Sequence, residues 1–277
     1  FPDDLVIETE LSHAIGNSRD LLIAVPSHAF REVLLQVAPS LQQHHRSAWA
    51  TKGLEHGSGK FMSEVLDEVL GSKYPSAVIS GPTFALEVAA GLPTALTCAS
   101  TNPVFANDMA RRLHGDIMRV YTSDDVIGVQ LGGTVKNVLA IASGITDGRH
   151  LGANSRAALI TRGLAEIIRL GDAMGARRET LMGLAGVGDL ILTCTDDQSR
   201  NRRLGLALGR GTPLDIAVQE IGQVVEGFNT AREVVQLAHD FKVDMPISQQ
   251  VYRVLHEGLA PEAAVHNLLG RDIRREF

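Results

Sequence analysis

A lysine and an asparagine stand side by side in a stretch that is otherwise small and apolar, LGGTVKNVLAIASGI at residues 131–145. Residues three and four apart share a helix face, so a helical Lys136 lies above Gly132 and Gly133. Each glycine costs a helix about 1 kcal/mol relative to alanine, which indicates that something approaches the backbone closely there. A desolvated ammonium group can serve as general acid or base. We therefore select Lys136 as the candidate catalytic residue, with Asn137 beside it; a lysine that extends to solvent is the alternative.

A second candidate site is the run Ser199-Arg200-Asn201, which leads into the apolar sequence LGLAL. Ser199 is a natural helix N-cap, and the first turn of a helix offers free N–H groups to an anion. Arg200 can hold phosphate oxygens through two hydrogen bonds, and Asn201 adds an amide donor. The run therefore indicates a site for a small phosphate, although an ordinary cap followed by solvated arginines would look the same.

Weaker candidates lie in turns. Asp189 follows the glycines of GVGD, where it either caps a helix or accepts hydrogen bonds from a substrate or the lysine. Lys52 follows one predicted strand, and the segment from Gly81 to Ala85, with Thr83, follows another. Ligands of open α/β sheets bind where strands end, so these turns are candidate binding loops. Gly-rich turns are also common for geometric reasons alone.

The surrounding elements fall into two patterns. Apolar, β-branched runs alternate with helical runs up to about residue 122, which predicts an α/β domain with a largely parallel sheet. From residue 123 onward the pattern is helical, with predicted helices at 124–145, 155–174, 179–185, 187–194, 200–210, 213–221, 228–241, 247–257 and 261–269. We therefore predict domains at 1–122 and 123–277. Gly175, Gly211 and Gly258 are expected at helix ends, and Asn154, Ser199 and Thr230 near helix starts.

Composition restricts the class of protein. The 277 residues are 44% hydrophobic and 21% charged with a net charge of −6, typical of a globular protein with no basic surface for nucleic acid. Apolar runs are interrupted before they reach membrane-spanning length, and no signal peptide is evident, so we expect no integral membrane association. The two cysteines fit a cytoplasmic location, and the scattered histidines predict no metal site.

No glycine-rich dinucleotide fingerprint of the form G-x-G-x-x-G occurs in the chain. Such a loop normally follows the first strand of an α/β domain of this kind. We therefore expect that the amino-terminal part of this domain is missing from the sequence.

Seven stretches that follow one another along the chain resemble those of bacterial NAD(P)-dependent glycerol-3-phosphate dehydrogenases. They are ATKGLE at 50–55, SGPTFA at 80–85, GGTVKNV at 132–138, ALITRGL at 158–164, GDL at 188–190, SRN at 199–201 and VEG at 225–227. The resemblance runs from residue 21 to about 257. It implies a Rossmann domain that binds NAD or NADP and a helical domain that holds most of the substrate site.

The resemblance also implies an activity, the interconversion of glycerol 3-phosphate and dihydroxyacetone phosphate by hydride transfer, which supplies phospholipid synthesis. Lys136 matches the proton acceptor of the family. Positions that match substrate-binding residues are Lys52, Gly81, Thr83, Asn137, Asp189, Ser199, Arg200 and Asn201, together with Lys136 itself. Positions that match cofactor contacts are Lys52, Ala85, Arg200, Val224 and Glu226. A homodimer without metal is the expectation for the family.

Other classes fit less well. In 6-phosphogluconate-type and β-hydroxyacid dehydrogenases the key lysine and asparagine stand one helical turn apart, whereas Lys136 and Asn137 are adjacent. A UDP-sugar dehydrogenase would need a nucleophilic cysteine, and no residue near Cys194 in sequence would activate it. A non-catalytic sensor of phosphate ligands is the alternative from a different class.

Overall fold

The computed structural model describes residues 5–273 and residue 275. Within this part of the chain the strands are β1 (Asp20–Ile23), β2 (Arg46–Trp49), β3 (Ser76–Ser80), β4 (Thr94–Ala99) and β5 (Met118–Ser123). The helices are α1 (Leu11–Gly16), α2 (Ser27–Val37), α3 (Met62–Leu70), α4 (Ala85–Ala89), α5 (Pro103–Leu113), α6 (Val126–Gly148), α7 (Gly152–Met174), α8 (Arg178–Leu181), α9 (Asp189–Thr195), α10 (Arg200–Gly209), α11 (Leu214–Ile221), α12 (Glu226–Asp240), α13 (Pro246–His256) and α14 (Pro261–Leu269). A 3₁₀ turn covers Ala38–Ser40 and a π-helical turn covers Leu184–Gly188.

The strands form one sheet in the order β1-β2-β3-β4-β5. The β1–β2, β2–β3 and β4–β5 pairs are parallel, whereas β4 runs antiparallel to β3. Helices pack on both faces: α2 and α3 cover the cluster around Trp49, and α5 covers the one around Cys98. The predicted α/β arrangement followed by helices is confirmed, and the parallel strands β1 to β3 end at one edge of the sheet.

Helix α6 is the centre of the helical half. All but a few of its residues are buried, and α7, α9, α10 and α12 pack around it. It is long and apolar enough to cross a membrane by composition, but 89% of its most apolar window is buried inside the protein. A helix that is apolar on all sides and covered by other helices is typical of a protein core.

Small residues allow α6 and α10 to cross at close range. Gly144 and Gly148 of α6 face Gly205 and Gly209 of α10. A Cβ atom added at Gly205 would overlap the carbonyl oxygen of Ile141, and one added at Gly209 would lie 2.6 Å from that of Ile145. The backbones therefore touch directly, which fixes α10 and the residues at its start against the core helix.

The loop at residues 51–61, after β2, crosses from the sheet to the helical half. Leu54 and Phe61 pair across its base and are buried in the hydrophobic cluster of the helical half. At its tip, His56 Nδ1 lies 2.9 Å from Glu233 Oε1 on α12. Lys52, at the start of this loop, is therefore held between the two halves of the molecule.

Several local predictions need correction. Strand β5 and the short helices α1 and α4 were not identified from the sequence, and the expected helices at 179–185 and 187–194 are instead α8, the π-helical turn and α9. Glycines 183, 186 and 188 interrupt the helix there, because Gly186 packs directly on the backbone of Leu181. Ser199 caps α10 as predicted, and Asn154 and Thr230 lie near helix starts as predicted, although inside α7 and α12 and not at their caps. Gly175 ends α7 in the left-handed conformation, and Gly211 and Gly258 have positive φ just after helix ends, as predicted.

Candidate active site

Two lysines meet one buried aspartate where the sheet joins the helical half. Lys136 of α6 donates to Asp189 Oδ1, and Lys52 Nζ donates to Asp189 Oδ2 at 2.7 Å. Lys52 Nζ also donates to the carbonyl oxygen of Gly81 at 2.9 Å. Lys136 and Asp189 are buried, whereas the Lys52 side chain is 19% exposed. The end of β2, the end of β3, α6 and α9 thus converge on one carboxylate.

Burial and charge set the protonation of this group, which we call the lysine–aspartate cluster. Burial lowers the pKa of the Lys136 amine to about 8, against the opposing attraction of Asp189 and with a further lowering by the Lys52 charge. Burial alone would raise the pKa of Asp189, but the two lysine charges outweigh it and hold that pKa below its usual value. Lys136 can therefore exchange a proton near neutral pH while Asp189 stays ionised.

The glycines beside Lys136 have a different purpose from the one expected. A Cβ atom at Gly132 would overlap the carbonyl oxygen of Ala185, and one at Gly133 would lie 2.9 Å from Ser80 Oγ and 3.6 Å from Lys52 Cδ. The close approach inferred from these glycines is real, but its partners belong to the protein. Gly132 and Gly133 leave room for the π-helical turn and the Lys52 side chain. Asp189, which follows that turn, and Lys52 can therefore both lie beside Lys136.

The π-helical turn and α9 place Asp189. The turn packs on α6 through Ala185 and Gly186, and α9 begins at Asp189 itself with Gly188 as its N-cap. Thr193, one turn later, donates from Oγ1 to the Asp189 carbonyl at 2.6 Å, and its Oγ1 lies 3.3 Å from Asp189 Oδ1. Asp189 is thus no N-cap; its carboxylate is turned to the lysines, the second of the two roles considered from the sequence.

A chain of amides continues from the cluster into the helical half. Asn201 Nδ2 donates to Asn137 Oδ1 at 3.0 Å, and Asn201 Oδ1 accepts from the backbone N–H of Gly227 at 2.9 Å. Asn137 Nδ2 lies 3.4 Å from Glu226 Oε2. Because Asn137 follows Lys136 directly, these contacts join the start of α10 and the start of α12 to the lysine–aspartate cluster.

The start of α10 also carries the predicted phosphate run. Ser199 Oγ accepts from the backbone N–H of Arg202 at 3.2 Å, which confirms the predicted cap. The Arg200 side chain is partly exposed and makes no hydrogen bond or ion pair with residues 5–273 or residue 275. Burial raises the pKa of the Glu226 carboxyl above its usual value, and the positive charge of Arg200 opposes part of this shift. A guanidinium group near the lysines is thus available for an anion.

The edge around the cluster suits the nicotinamide end of a dinucleotide. Gly53 has φ +105°, a backbone conformation that favours glycine, and it lies between Ser27 on α2 and Thr230 on α12. Ala85 and Val224 are exposed apolar residues in the segments that flank the site. Strand ends, exposed apolar residues and the positive charge of Lys52 are features that fit such a group.

Thr83 stays close to this edge, since its Oγ1 lies 3.2 Å from the Gly81 carbonyl oxygen. The structure therefore brings Lys52, Gly81, Lys136 and Asp189 into direct contact and links Asn137, Asn201 and Glu226 to them. Ser199, Arg200 and Thr83 lie next to these groups, whereas Ala85 and Val224 are exposed residues of neighbouring segments. Among the described residues, no group of three His, Cys, Asp or Glu side chains is arranged to hold a metal ion.

Two further residues of the site were not selected from the sequence, Thr193 and Arg202. Thr193 lies four residues after Asp189, so helical spacing alone could have indicated it. Arg202 looks like its neighbour Arg203 in the sequence, but Arg202 is buried and Arg203 is exposed. Cys194 is also buried, and burial raises the pKa of its thiol to about 12. Cys194 therefore lacks the activation that the nucleophilic cysteine of a UDP-sugar dehydrogenase needs.

Comparisons with known proteins identify relatives of this chain in sequence and in fold. Residues 1–106 match the family model described as the amino-terminal part of NAD-dependent glycerol-3-phosphate dehydrogenase, and residues 125–266 match its carboxy-terminal part. A glycerol-3-phosphate dehydrogenase (NAD(P)+) of Thioalkalivibrio sulfidiphilus is 61% identical over all of this chain and 83% of its own length. One of Nitrosococcus oceani is 57% identical over all of this chain and 80% of its own. The crystal structure of glycerol-3-phosphate dehydrogenase from Coxiella burnetii has a TM-score of 0.93 and 52% identity, over 98% of this chain and 83% of that one.

Proposed function

The chain belongs to the NAD-dependent glycerol-3-phosphate dehydrogenase family, and we propose that Lys136 is the acid/base of its reaction. It is an NAD(P)-dependent oxidoreductase that interconverts glycerol 3-phosphate and dihydroxyacetone phosphate. The observation that carries the proposal is the buried contact of the Lys136 amine with Asp189, beside Lys52. An amine with a pKa of about 8 suits a step that needs a proton in one direction and its removal in the other.

In reduction, the Lys136 ammonium donates a proton to the C2 carbonyl oxygen while a hydride arrives at C2. New O–H and C–H bonds form, the C=O double bond becomes a single bond, and Lys136 is left as a neutral amine. In oxidation, the neutral amine removes the hydroxyl proton as the hydride leaves. The bound nicotinamide supplies the hydride in one direction and accepts it in the other.

Asp189 and Lys52 prepare Lys136 for this step. The Asp189 carboxylate accepts from both amines, so it orients Lys136 and stabilises its protonated form. Lys52 reaches further toward solvent than Lys136 and holds a second positive charge where negative charge develops on the substrate oxygen. We propose that Gly81, Thr83 and Asn137 bind the remaining substrate hydroxyl and carbonyl groups.

We propose that Ser199, Arg200 and Asn201 hold the substrate phosphate. The start of a ten-residue helix and a guanidinium group without a described partner support this assignment. Lys52, Ala85, Arg200, Val224 and Glu226 are proposed to contact the cofactor. Binding energy from the remote phosphate would then position C2 for the reaction.

Arg200→Ala is expected to lower kcat/KM for dihydroxyacetone phosphate by about 100-fold, because a charge-assisted, two-bond contact with phosphate is lost. The free energy of unfolding should change little, since the side chain is partly exposed. Steady-state kinetics with dihydroxyacetone phosphate and with non-phosphorylated dihydroxyacetone measure the effect, with Arg203→Ala, one residue beyond the proposed phosphate run, as the control. An equal loss toward both substrates would remove Arg200 from the phosphate site.

The two directions of the reaction should depend on pH with opposite sign. Oxidation of glycerol 3-phosphate needs the neutral Lys136 amine, so its kcat should rise as the pH passes about 8. Reduction of dihydroxyacetone phosphate needs the ammonium and should fall over the same interval. Measurements of kcat in both directions across this interval check the prediction; two parallel profiles would contradict the assignment of Lys136.

The direct test of the activity uses the purified chain with reduced nicotinamide cofactor and dihydroxyacetone phosphate. We expect absorbance of the reduced cofactor to decay and glycerol 3-phosphate to form. Decay that is no faster with dihydroxyacetone phosphate than without it would refute the proposed reaction for this chain.

We also propose a domain boundary at residues 122–123, a homodimeric assembly and a cytoplasmic location, where the product would supply phospholipid synthesis. The change from strands to helices, between the end of β5 at Ser123 and the start of α6 at Val126, lies directly after this boundary and supports it. Size-exclusion chromatography with light scattering tests the homodimer, and a monomer mass at working concentration would refute it.

A further inference from the structure

We propose that Arg202 is a positioning residue that fixes the phosphate-binding start of α10, although it does not touch the substrate. This inference rests on the proposed function, because it assigns Arg202 a role in how Ser199, Arg200 and Asn201 are presented. The two consecutive arginines at 202 and 203 would then differ in function: one is internal and positions the site, the other is a surface residue.

The contacts of Arg202 join three segments. Its Nη1 donates to Asp147 Oδ2 at 2.6 Å and to the carbonyl oxygen of Cys194 at 3.1 Å, and its Nε donates to Asp197 Oδ1 at 2.8 Å. Asp147 belongs to the end of α6, Cys194 to α9, and Asp197 to the loop before α10. We call these four residues the Arg202 network.

Because Arg202 is buried, its charge must be paired within the Arg202 network. The Arg202 side chain is 8% exposed and that of Asp147 13% exposed, whereas Asp197 is largely in solvent. A buried guanidinium group is costly unless its N–H groups are paired. Its planar fork fixes direction as well as distance, so it holds α10 in one orientation against α6 and α9 in a way that a lysine ammonium cannot.

The geometry ties this orientation to the site. The backbone N–H of Arg202 donates to the Ser199 cap, and Cys194, whose carbonyl oxygen also accepts from Ser143 Oγ at 2.7 Å, lies on the same short helix as Asp189. One side chain therefore sets the loop at 196–199 and the first turn of α10 relative to the helix that carries Asp189. The distance between the proposed phosphate site and the lysine–aspartate cluster should depend on it.

The test compares Arg202→Lys and Arg202→Met with two matched controls. Arg203→Met removes the neighbouring, exposed arginine, and Arg156→Met removes a different partner of Asp147, at 2.9 Å, without touching α10. We expect Arg202→Met to raise KM for dihydroxyacetone phosphate and the inhibition constant of inorganic phosphate by about tenfold or more, as expected when reacting groups are displaced. Arg202→Lys should recover part of this loss. In the two control variants, KM for dihydroxyacetone phosphate and the inhibition constant of phosphate should change less than about twofold. In the Arg202 variants, kcat/KM for non-phosphorylated dihydroxyacetone should also change less than about twofold.

Kinetics are measured on folded protein, verified by circular dichroism and thermal melting, so that a stability loss is separated from a positioning effect. If Arg202→Met does not fold, the comparison is decided by Arg202→Lys and by Asp147→Asn, which is expected to raise the same two constants. The proposal is overturned if these variants lose activity equally toward both substrates, or melt earlier with unchanged KM. An inactive wild-type chain would instead refute the proposed function.

Discussion

Replacement of Lys136 by alanine is expected to lower kcat for dihydroxyacetone phosphate reduction by about 10³-fold, within the range attributed to positioned acid/base groups. The loss follows from the geometry, because Lys136 is the buried amine of the cluster and Lys52 is already engaged with Gly81 and Asp189. Substrate binding should persist, since the proposed phosphate contacts are made by another helix. The measurement is kcat and KM from the absorbance of the reduced cofactor.

The control for this variant is Lys73→Ala, since Lys73 is an exposed lysine whose ammonium lies over the Tyr74 ring and makes no hydrogen bond or ion pair with the cluster. Its kcat should equal that of the wild type. Circular dichroism should show that the Lys136→Ala variant is folded, because Asp189 retains its contact with Lys52. A folded variant that keeps more than about a tenth of the wild-type kcat would argue against Lys136 as the acid/base.

Gly205→Ala is expected to reduce the free energy of unfolding by about 3 kcal/mol or more, the upper end of the range for overpacked cores. The added Cβ would overlap the carbonyl oxygen of Ile141, and it would lie 2.9 Å from the Cα atom of Gly144. Both are backbone atoms, so no rotation of a side chain relieves the overlap and α10 must move away from α6. Chemical denaturation followed by circular dichroism gives the change.

Gly16→Ala is the matched control, because Gly16 also lies in a helix but has no atom within 4 Å of its added Cβ. This change should leave stability equal or raise it by up to about 1 kcal/mol, as the helix preference of alanine predicts. Equal effects of the two substitutions would show that α6 and α10 are not in the close contact described.

Local signals in the sequence predicted much of the fold. The apolar strand runs, the cap at Ser199 and the helix-ending glycines depend on residues that are near one another in the chain, which is why they could be predicted. Strand β5 was missed because its sequence MRVYTS is half polar and its side chains are only partly buried. The π-helical turn was missed because its conformation is set by the packing of Gly186 on Leu181 and of Gly132 on Ala185.

The candidate site likewise combines features that local sequence predicts with contacts between residues that are distant in the chain. Lys136 and its glycines were selected from spacing alone, but the partner of those glycines was taken to be a ligand and is the protein itself. The ion pair between Lys52 and Asp189 spans 137 residues of sequence, and no local pattern indicates such a contact. The difference between Arg202 and Arg203 arises from which side of α10 faces α6, which becomes visible only when the helices are packed together.

The most direct measurement of the acid/base role is chemical rescue of the Lys136→Ala variant by methylamine. Loss of the side chain leaves space beside Asp189 in which a small protonated amine can replace the missing ammonium. We predict that dihydroxyacetone phosphate reduction by this variant increases with methylammonium concentration and saturates, whereas the wild type and a Lys73→Ala variant do not respond. A folded Lys136→Ala variant that turns over at the wild-type rate without added amine would contradict the central role given to Lys136.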